Sequence, residues 1–469
     1  MSDMFSSCRG LTSLDISRFD TSQVTDMYGM FRYCISLTSL DLSSFNTSQV
    51  TDMREMFFDC WRLSNLNLTS FNTSNLVYMG GNRKNNNGDY GMFAECAGLT
   101  SLDLSSFDTS SVVSMNSIFS GCDNLTNIIF GENWDTSKVT DMSSMFWDCS
   151  SLTNIDLSNF DTSQVTDTES MFGNCENLVN LDVSEFDTSQ VMDMMRMFDN
   201  CQRLTNLDVS EFDTSQVIDM SGMFRYCRRL TSLDVSNFNT EQVTDMSIMF
   251  QSCSNLATLD VGKFDTSKVT DMNSMFSGCN NLTSLALDDW KTHNVKDMYS
   301  MFDSCSSLPN LDLSSFDTSQ VTNMGSLFDN CRSLTSLDLS SFDTSKVTNM
   351  SKMFSSCSSL TSLDLSSFDT SQVTGMYQMF AYCRGLTSLD LSNFDTSQVT
   401  NMYSMFYSCS NLTNLDMRNA TFNATSYSSM FSYVPNSINI IVKDATAKTW
   451  IEARLSEDHI TGTITIAST

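Results

Sequence analysis

Cysteine recurs along this chain at a nearly constant interval, and that interval constrains the fold more than any other feature. The sixteen cysteines are 26 residues apart, except that 36 residues separate Cys60 from Cys96 and 27 separate Cys122 from Cys149. A period between about 20 and 50 residues is typical of solenoids, in which each repeat buries its apolar side chains by stacking on its neighbours. The sequence therefore predicts one elongated repeat domain.

Residues 11–36, LTSLDISRFDTSQVTDMYGMFRYCIS, show what one repeat contains. Leu14, Asp15 and Ile16 alternate with the two-residue period of a strand, which turns the leucine and isoleucine inward. The next segment, FDTSQV, carries an aromatic residue for the core and then an Asp or Asn that favours an Asx-turn. Thr21 recurs after that residue, and we expect its hydroxyl to bond within the same turn.

The last part of the repeat fits one face of a short helix. Met27, Met30, Phe31 and Cys34 are spaced i, i+3, i+4 and i+7, and Asp26 before them is a favourable N-cap residue. The sequence therefore predicts an α/β solenoid of about 16 rungs of 26 residues. One parallel sheet would line one side, with short helices on the other.

Charge and hydropathy exclude two classes of function. The chain has 55 acidic and 25 basic residues, for a formal net charge of −30. Binding to nucleic acid depends on clustered Lys and Arg, so nucleic acid is excluded as a partner. No apolar run approaches the ~20 residues of a membrane span, so no transmembrane segment is predicted. Because the chain enters the repeat partway, targeting and anchoring segments are expected in a longer protein.

The cysteines are predicted to be buried free thiols. One lies on the apolar stripe of each repeat, no Cys-x-x-Cys pair occurs, and only His293 and His459 could complete a zinc site. No cofactor is predicted, apart from weak calcium binding. Catalysis needs an activated nucleophile or carboxylates in unlike surroundings, whereas identical repeats give identical surroundings, so the chain is predicted not to be an enzyme.

The frame C-x-x-L-x-x-L-x-L-x-x-F, followed by V-x-x-M-x-x-M-F and the recurring FDTSQVTDM, resembles the BspA-like leucine-rich-repeat surface proteins of bacteria and some parasites. The resemblance covers roughly residues 3–417 and implies a leucine-rich-repeat rod. It also implies an extracellular protein, attached to the cell surface in its full-length form, that adheres to a host or to neighbouring cells. Residues 1–417 would form the solenoid, with a ten-residue insertion within 80–91, and residues 418–469 a C-terminal capping segment.

An outward column of aspartates along the predicted sheet is the strongest candidate binding surface. Neighbouring carboxylates one strand apart repel each other, and we expect this to raise their folded pKa values. Water and counterions could offset the repulsion, and so could a bound cation or a basic partner. The candidate residues are Asp182, Asp208, Asp234, Asp260, Asp312, Asp338, Asp364 and Asp390.

An insertion interrupts the third complete repeat. Between Met79 and Met92 the chain reads GGNRKNNNGDYG, twelve residues where other repeats have two, and these include Arg83 and Lys84. Loops on a rigid scaffold often carry recognition, although surface insertions are equally often tolerated without a function. Arg83 and Lys84 are therefore candidate binding residues.

Arginine and tyrosine gather near one cysteine. Tyr and Arg are favoured at protein interfaces, although on a helix surface they are also often simply solvated. The candidate residues are Arg225, Tyr226, Arg228 and Arg229, and Tyr382 with Arg384 forms a similar pair.

Repetition favours a long surface for contact over a pocket for chemistry. The leading interpretation is a cell-surface adhesin or recognition module that binds a protein or glycan through an extended acidic repeat surface. A structural spacer that holds another domain away from the cell is the alternative, and ice binding through the recurring Thr21 position is a third. The sheet side and the helix side both remain open as the binding face.

Overall fold

A computed structural model of the protein describes residues 1–81 and 89–468. It contains two compact units, Met1–Leu233 and Asp234–Thr469. In each unit, successive repeats stack as turns of a parallel β-solenoid, which confirms the predicted solenoid of about 16 turns. The division between the units falls inside a repeat, and the boundary expected between residues 417 and 418 stays a prediction.

Short parallel strands pair between neighbouring repeats. The first unit contains β1 (Ser39–Asp41), β2 (Asn65–Asn67), β3 (Ser101–Leu104) and β4 (Asn127–Phe130), paired as β1-β2 and β3-β4. The second unit contains β5 (Ser388–Asp390), β6 (Asn414–Met417), β7 (Asn439–Val442) and β8 (Thr463–Ile466), which form a four-stranded sheet in the order β5-β6-β7-β8. Helix α1 (Ala445–Glu457) lies between β7 and β8 in sequence. The strand predicted from the alternating pattern is thereby confirmed in these repeats.

Strand β3 shows why the pattern selects this register. Leu102 and Leu104 are buried, whereas Ser101 and Asp103 on the opposite face are exposed. Leu102 pairs with Ile128 of the next repeat, so identical positions lie side by side. A shift of one residue would expose every leucine, and the repeat period therefore fixes the pairing.

A second set of parallel contacts follows the position of Asp26. An isolated parallel β-bridge joins Asp26 to Asp52, and the same bridge recurs between equivalent residues of successive repeats within each unit. The N–H of Tyr28 donates to Oδ1 of Asp26 at 2.8 Å, and most repeats make the same bond two residues on. The Asp or Asn at this position therefore caps a tight turn and not a helix.

The short helices predicted on the other side of the solenoid are not present in the described repeats, and this part of the fold prediction was wrong. Wherever the structure describes the whole segment that leads to a cysteine, such as Met27 to Cys34, this segment is a run of tight turns. Within the described residues, α1 near the C-terminus is the only helix.

Backbone hydrogen bonds explain the turns. The N–H of Phe31 donates to the carbonyl of Met56 in the next repeat at 2.9 Å, whereas the N–H of Cys34 donates back to the carbonyl of Phe31 at 3.1 Å. Alternate amides thus bond to the next repeat, which an α-helix cannot do because each of its N–H groups bonds four residues back. Left-handed residues four positions apart, Gly29 with φ 58° and Tyr33 with φ 59°, produce the bends.

One aromatic ring and one thiol per repeat stack in the core. Phe31 and Phe57 lie with ring centroids 5.8 Å apart and nearly parallel planes. The thiol of Cys60 donates to the carbonyl of Phe31 in the preceding repeat at 3.1 Å. All sixteen cysteines are free, and only Cys8 is exposed, which otherwise confirms the predicted buried thiols. Burial raises the pKa of the Cys34 thiol to about 11.

The predicted Asx-turn is present, but its threonine bonds to the next repeat and not within the turn. The N–H of Ser22 donates to Oδ1 of Asp20 at 3.0 Å, as expected. Oγ1 of Thr21 donates to the carbonyl of Asn46 in the next repeat at 3.0 Å and accepts from the N–H of Asn46 at 2.7 Å. Thr21 is only 2% exposed, so this column clamps repeats together and does not present hydroxyls to ice.

The C-terminal segment continues the sheet of the second unit. Strand β7 pairs with β6, and β8 pairs with β7 after α1. Asp444 caps α1 by accepting the N–H of Ala447 at 2.9 Å, and Ile451 and Leu455 are buried. Residues 418–469 thus contain a strand, a helix and a strand, while the predicted capping role stays a prediction.

Candidate functional site

The aspartate column lies on the exposed face of the strand segments, but each side chain has a local partner. The N–H of Ser340 donates to Oδ1 of Asp338 at 3.0 Å. The N–H and the hydroxyl of Ser314 both donate to Asp312, at 3.0 and 2.6 Å. The N–H two residues on makes the same bond to Asp182, Asp208, Asp234, Asp260, Asp364 and Asp390.

These hydrogen bonds lower the pKa of five of the eight candidate aspartates. The hydroxyl and the N–H of Ser340 hold the pKa of Asp338 below its usual value. Hydrogen bonds from Ser366 lower the pKa of Asp364, and the charge of Asp338 opposes this only weakly. The expected rise in pKa was therefore wrong, because bonds to the ionised carboxylates outweigh the repulsion between them. The pKa is also lowered for Asp182, Asp234 and Asp312.

Arg225, Tyr226, Arg228 and Arg229 come together in the first unit, on the turn side of one repeat. The guanidinium carbons of Arg225 and Arg228 lie 4.7 and 5.2 Å from the centroid of the Tyr226 ring. Nε of Arg225 lies 3.5 Å from Oδ1 of Asp199 in the preceding repeat. Arg228 and Arg229 are exposed. We call these four residues the Arg225 cluster; cation–π contacts and an ion pair hold its central ring in place.

Arg83 and Lys84, the candidates in the insertion, lie outside the described residues. Asp89, just after them, is fixed by neighbouring repeats. Its Oδ2 is 2.9 Å from Nη1 of Arg54, and its Oδ1 accepts the hydroxyl of Tyr28 at 3.3 Å. The C-terminal end of the insertion is therefore attached to the solenoid by charged and polar contacts.

A buried ion pair beside the insertion was not foreseen from the sequence. Nη1 of Arg32 lies 2.7 Å from Oε2 of Glu55, whose side chain is 1% exposed. Oε1 of Glu55 accepts the N–H of Tyr90 at 2.9 Å. Burial raises the pKa of Glu55, while the Tyr90 bond and the Arg32 charge oppose that rise. The pair therefore joins the two repeats that precede the insertion, and the Tyr90 bond attaches them to the C-terminal end of the insertion.

One group of three carboxylates could accept a cation. Oxygen atoms of Asp167, Glu169 and Asp193 lie within 4.8 Å of one another, and no other such group occurs among residues 1–81 and 89–468. Burial and the neighbouring charges of Asp167, Asp219 and Glu169 raise the pKa of Asp193 to about 6, against the bond from the N–H of Met195. Acidic groups often gather without a metal, so the geometry alone does not make this a metal site.

The repeat itself matches a known family model. The model described as "Mycoplasma protein of unknown function, DUF285" matches residues 1–87, 89–207, 170–259, 250–340 and 333–442. The chain belongs to the DUF285 family. This confirms the resemblance to BspA-like leucine-rich-repeat proteins. No curated protein matches the DUF285 chain.

Two solved structures are similar to this DUF285 protein at low identity. A leucine-rich repeat protein from Bacteroides ovatus ATCC 8483 is 16% identical, with a TM-score of 0.42, over 95% of this chain and 88% of that one. The pneumococcal vaccine antigen PcpA is 15% identical, with a TM-score of 0.39, over 90% of this chain and 85% of that one. Within residues 1–81 and 89–468, no helix combines the length and the apolar composition of a membrane span.

Proposed function

We propose that this DUF285 protein is a non-enzymatic recognition or adhesion module of the cell surface. It binds a protein or glycan of a host or of a neighbouring cell through side chains spread over several repeats. The resemblance to BspA-like surface proteins supports an extracellular location as part of a longer, anchored protein.

The observation that carries this proposal is the Arg225 cluster. The chain has more than twice as many acidic as basic residues, yet two arginines, Arg225 and Arg228, pack against Tyr226, and the exposed Arg229 follows directly in sequence. Tyr and Arg supply much of the binding energy at protein interfaces because they combine large contact area with directed hydrogen bonds. The backbone bonds between repeats hold these side chains on a fixed scaffold.

The strand face differs from the turn side in chemistry. It presents a column of hydrogen-bonded carboxylates, such as Asp312 and Asp338 in the second unit, which only Asn67, Ile129 and Ala286 interrupt. A column with so little variation attracts basic partners along its length but hardly distinguishes one position from another. We therefore propose that the strand face contributes long-range attraction and that the varied turn side selects the partner.

An array of glycans and extracellular matrix proteins tests the proposal. The DUF285 chain should bind at least one class of probe, and Arg228→Ala with Arg229→Ala should weaken that binding about tenfold without lowering the melting temperature. Lys268→Ala with Lys346→Ala removes the same charge from exposed positions elsewhere and should leave binding unchanged. A complete absence of hits would instead favour a structural spacer.

A further inference from the structure

A cavity of about 410 Å³ opens on the turn side of the second unit. Three successive repeats, those of Cys331, Cys357 and Cys383, contribute to it. Its volume is within the range of ligand pockets, about 300–1,000 Å³. The cavity is lined by Arg332, Ser356, Ser358, Tyr382 and Arg384.

The cavity exists because one repeat carries small side chains between two repeats with large ones. The residues that follow the three cysteines are Arg332, Ser358 and Arg384. Neighbouring repeats are spaced by about 4.8 Å, so the two arginines start about 10 Å apart with only a serine between them. Ser356 likewise lies beside Tyr382, which occupies the equivalent position of the next repeat.

Both arginines are exposed and available for a ligand. Nη2 of Arg332 donates to Oδ1 of Asn330 at 3.3 Å, and the guanidinium carbon of Arg384 lies 5.8 Å from the centroid of the Tyr382 ring. Neither arginine forms an ion pair with a residue that the structure describes. Each guanidinium has five N–H donors, so these contacts orient the groups and leave several donors free.

Tyr382 forms an aromatic wall. It is 36% exposed, and its ring packs edge-on against Tyr407 of the next repeat with centroids 5.2 Å apart. Tyr407 in turn packs against Tyr433 at 5.2 Å. The ring is therefore held from one side and presents apolar surface beside a polar cavity.

Together these groups select the chemistry of a ligand. Two guanidinium groups favour a carboxylate or sulfate, which each can bind through two parallel hydrogen bonds. Serine hydroxyls both donate and accept, as sugar hydroxyls require. An aromatic face packs against the C–H groups of a sugar ring by burying apolar surface. We propose that this cavity binds an acidic sugar residue, with its anionic group between Arg332 and Arg384 and its ring against Tyr382.

The inference rests on the proposed function and deepens it, since it names an acidic glycan as one partner of this surface. Its test uses the whole chain and isothermal titration with three acidic probes: 3′-sialyllactose, a hyaluronan tetrasaccharide and a chondroitin sulfate tetrasaccharide. Lactose is the neutral counterpart of the first. At least one acidic probe should bind at least tenfold more tightly than lactose.

Four variants locate the site. Arg332→Ala and Arg384→Ala should each weaken binding about tenfold. Ser358→Gln fills the gap without changing charge and should abolish binding, and Tyr382→Ser, which copies the residue of the preceding repeat, should weaken it at least fivefold. Lys346→Ala removes an equal charge from an exposed position and should bind as the parent does. Melting temperatures within two degrees of the parent show that the variants fold.

Three results would overturn the inference: no acidic probe binds, lactose binds as well as the acidic probes, or binding survives Ser358→Gln and the arginine changes. A sulfated or phosphorylated peptide that requires Arg332 while all sugars fail would assign the cavity to proteins. If matrix proteins still bind on the array, only the sugar assignment falls. If nothing binds on the array, the proposed function falls with it.

Discussion

The hydroxyl of Thr344 donates to the carbonyl of Asp369 in the next repeat at 2.8 Å and accepts the N–H of the same residue at 2.8 Å. One side chain thereby completes both backbone groups of a residue 25 positions away in sequence. Thr344 is 1% exposed, so its hydroxyl is shielded from water and is used for these two bonds. The recurring threonine therefore links each repeat to the backbone of the next.

Thr344→Val should therefore destabilise the protein by about 2 kcal/mol, because it keeps the shape of the side chain but removes both hydrogen bonds to the backbone of Asp369, each of which contributes about 1 kcal/mol. Urea denaturation measures the change. Thr348→Val makes the same substitution on the same repeat at an exposed threonine and should have a much smaller effect. Equal losses of stability in both variants would show that Thr344 does not link the repeats.

A second prediction concerns Ile248, the one β-branched residue at a left-handed turn position among the residues that the structure describes. Ile248 has φ 52°, where equivalent positions carry residues such as Ser274, Ser300 or Gly222. A left-handed conformation is unfavourable for a β-branched side chain, and asparagine tolerates it better. Ile248→Asn should raise the free energy of unfolding by about 1 kcal/mol. Ile248→Ala also removes the branch at Cβ but lacks the polar group with which asparagine can bond locally, so it should gain less stability. A loss of stability in the Asn variant would contradict the argument.

The sequence predicted the solenoid, the parallel strands, the Asx-turn and the buried cysteines because each depends on a period that recurs nearly unchanged. It misidentified the turn segment because Met, Met, Phe and Cys have the same spacing on a helix and on these turns. The distinguishing signal lay in the positions between them, where Ser, Asn and Gly recur, as at Ser326 and Asn330. Those residues favour left-handed turns and are poor helix formers.

The candidate sites were less predictable. The arginines and tyrosine of the Arg225 cluster are adjacent in sequence, so the pattern within one repeat revealed them. Arg332, Ser358 and Arg384 are 26 residues apart, and their cavity emerges only when the same position is compared between successive repeats. The lowered pKa values of Asp338 and Asp364 come from serine partners, whose bonds outweigh the repulsion that the spacing suggested.

A third prediction concerns the thiols. A maleimide should label Cys8 in the native protein and the remaining cysteines only after denaturation, because those are buried and burial raises their pKa. Mass spectrometry of the labelled protein, before and after addition of guanidinium chloride, counts the modified residues. Cys8→Ser should leave no site labelled under native conditions. Rapid native labelling of several cysteines would contradict the buried column.

A fourth prediction follows from Asp193, whose folded pKa of about 6 exceeds that of an unfolded aspartate. The folded state then binds the proton more tightly, so its stability rises as pH falls from about 6 towards 4. Asp193→Asn keeps the acceptor for Met195 and removes the charge near Asp167, Glu169 and Asp219. It should stabilise the protein by roughly 1 kcal/mol at pH 7.5, after allowance for solvent screening, and little at pH 4.

Melting curves at both pH values measure the effect of Asp193→Asn. Asp182→Asn in the same repeat is the control, because hydrogen bonds from Ser184 lower the pKa of its carboxyl. Its ionised form is already favoured in the folded state, so this control should gain nothing at pH 7.5. If Asp182→Asn stabilised the protein more than Asp193→Asn at pH 7.5, the charges around Asp193 would be screened by solvent.

The last prediction is weak calcium binding by the aspartate column. Asp390 and Asp416 pair in register on neighbouring strands, and calcium prefers such carboxylate oxygens. Calcium should raise the melting temperature at pH 7 more than sodium does at equal ionic strength. Asp338→Asn, Asp364→Asn and Asp390→Asn combined should remove part of that difference, since asparagine keeps the acceptor for the serine N–H but loses the charge. If Asp193→Asn removes the extra effect of calcium instead, the cation binds at Asp167, Glu169 and Asp193. Equal effects of calcium and sodium on the parent protein would mean that both salts only screen the charges of the column.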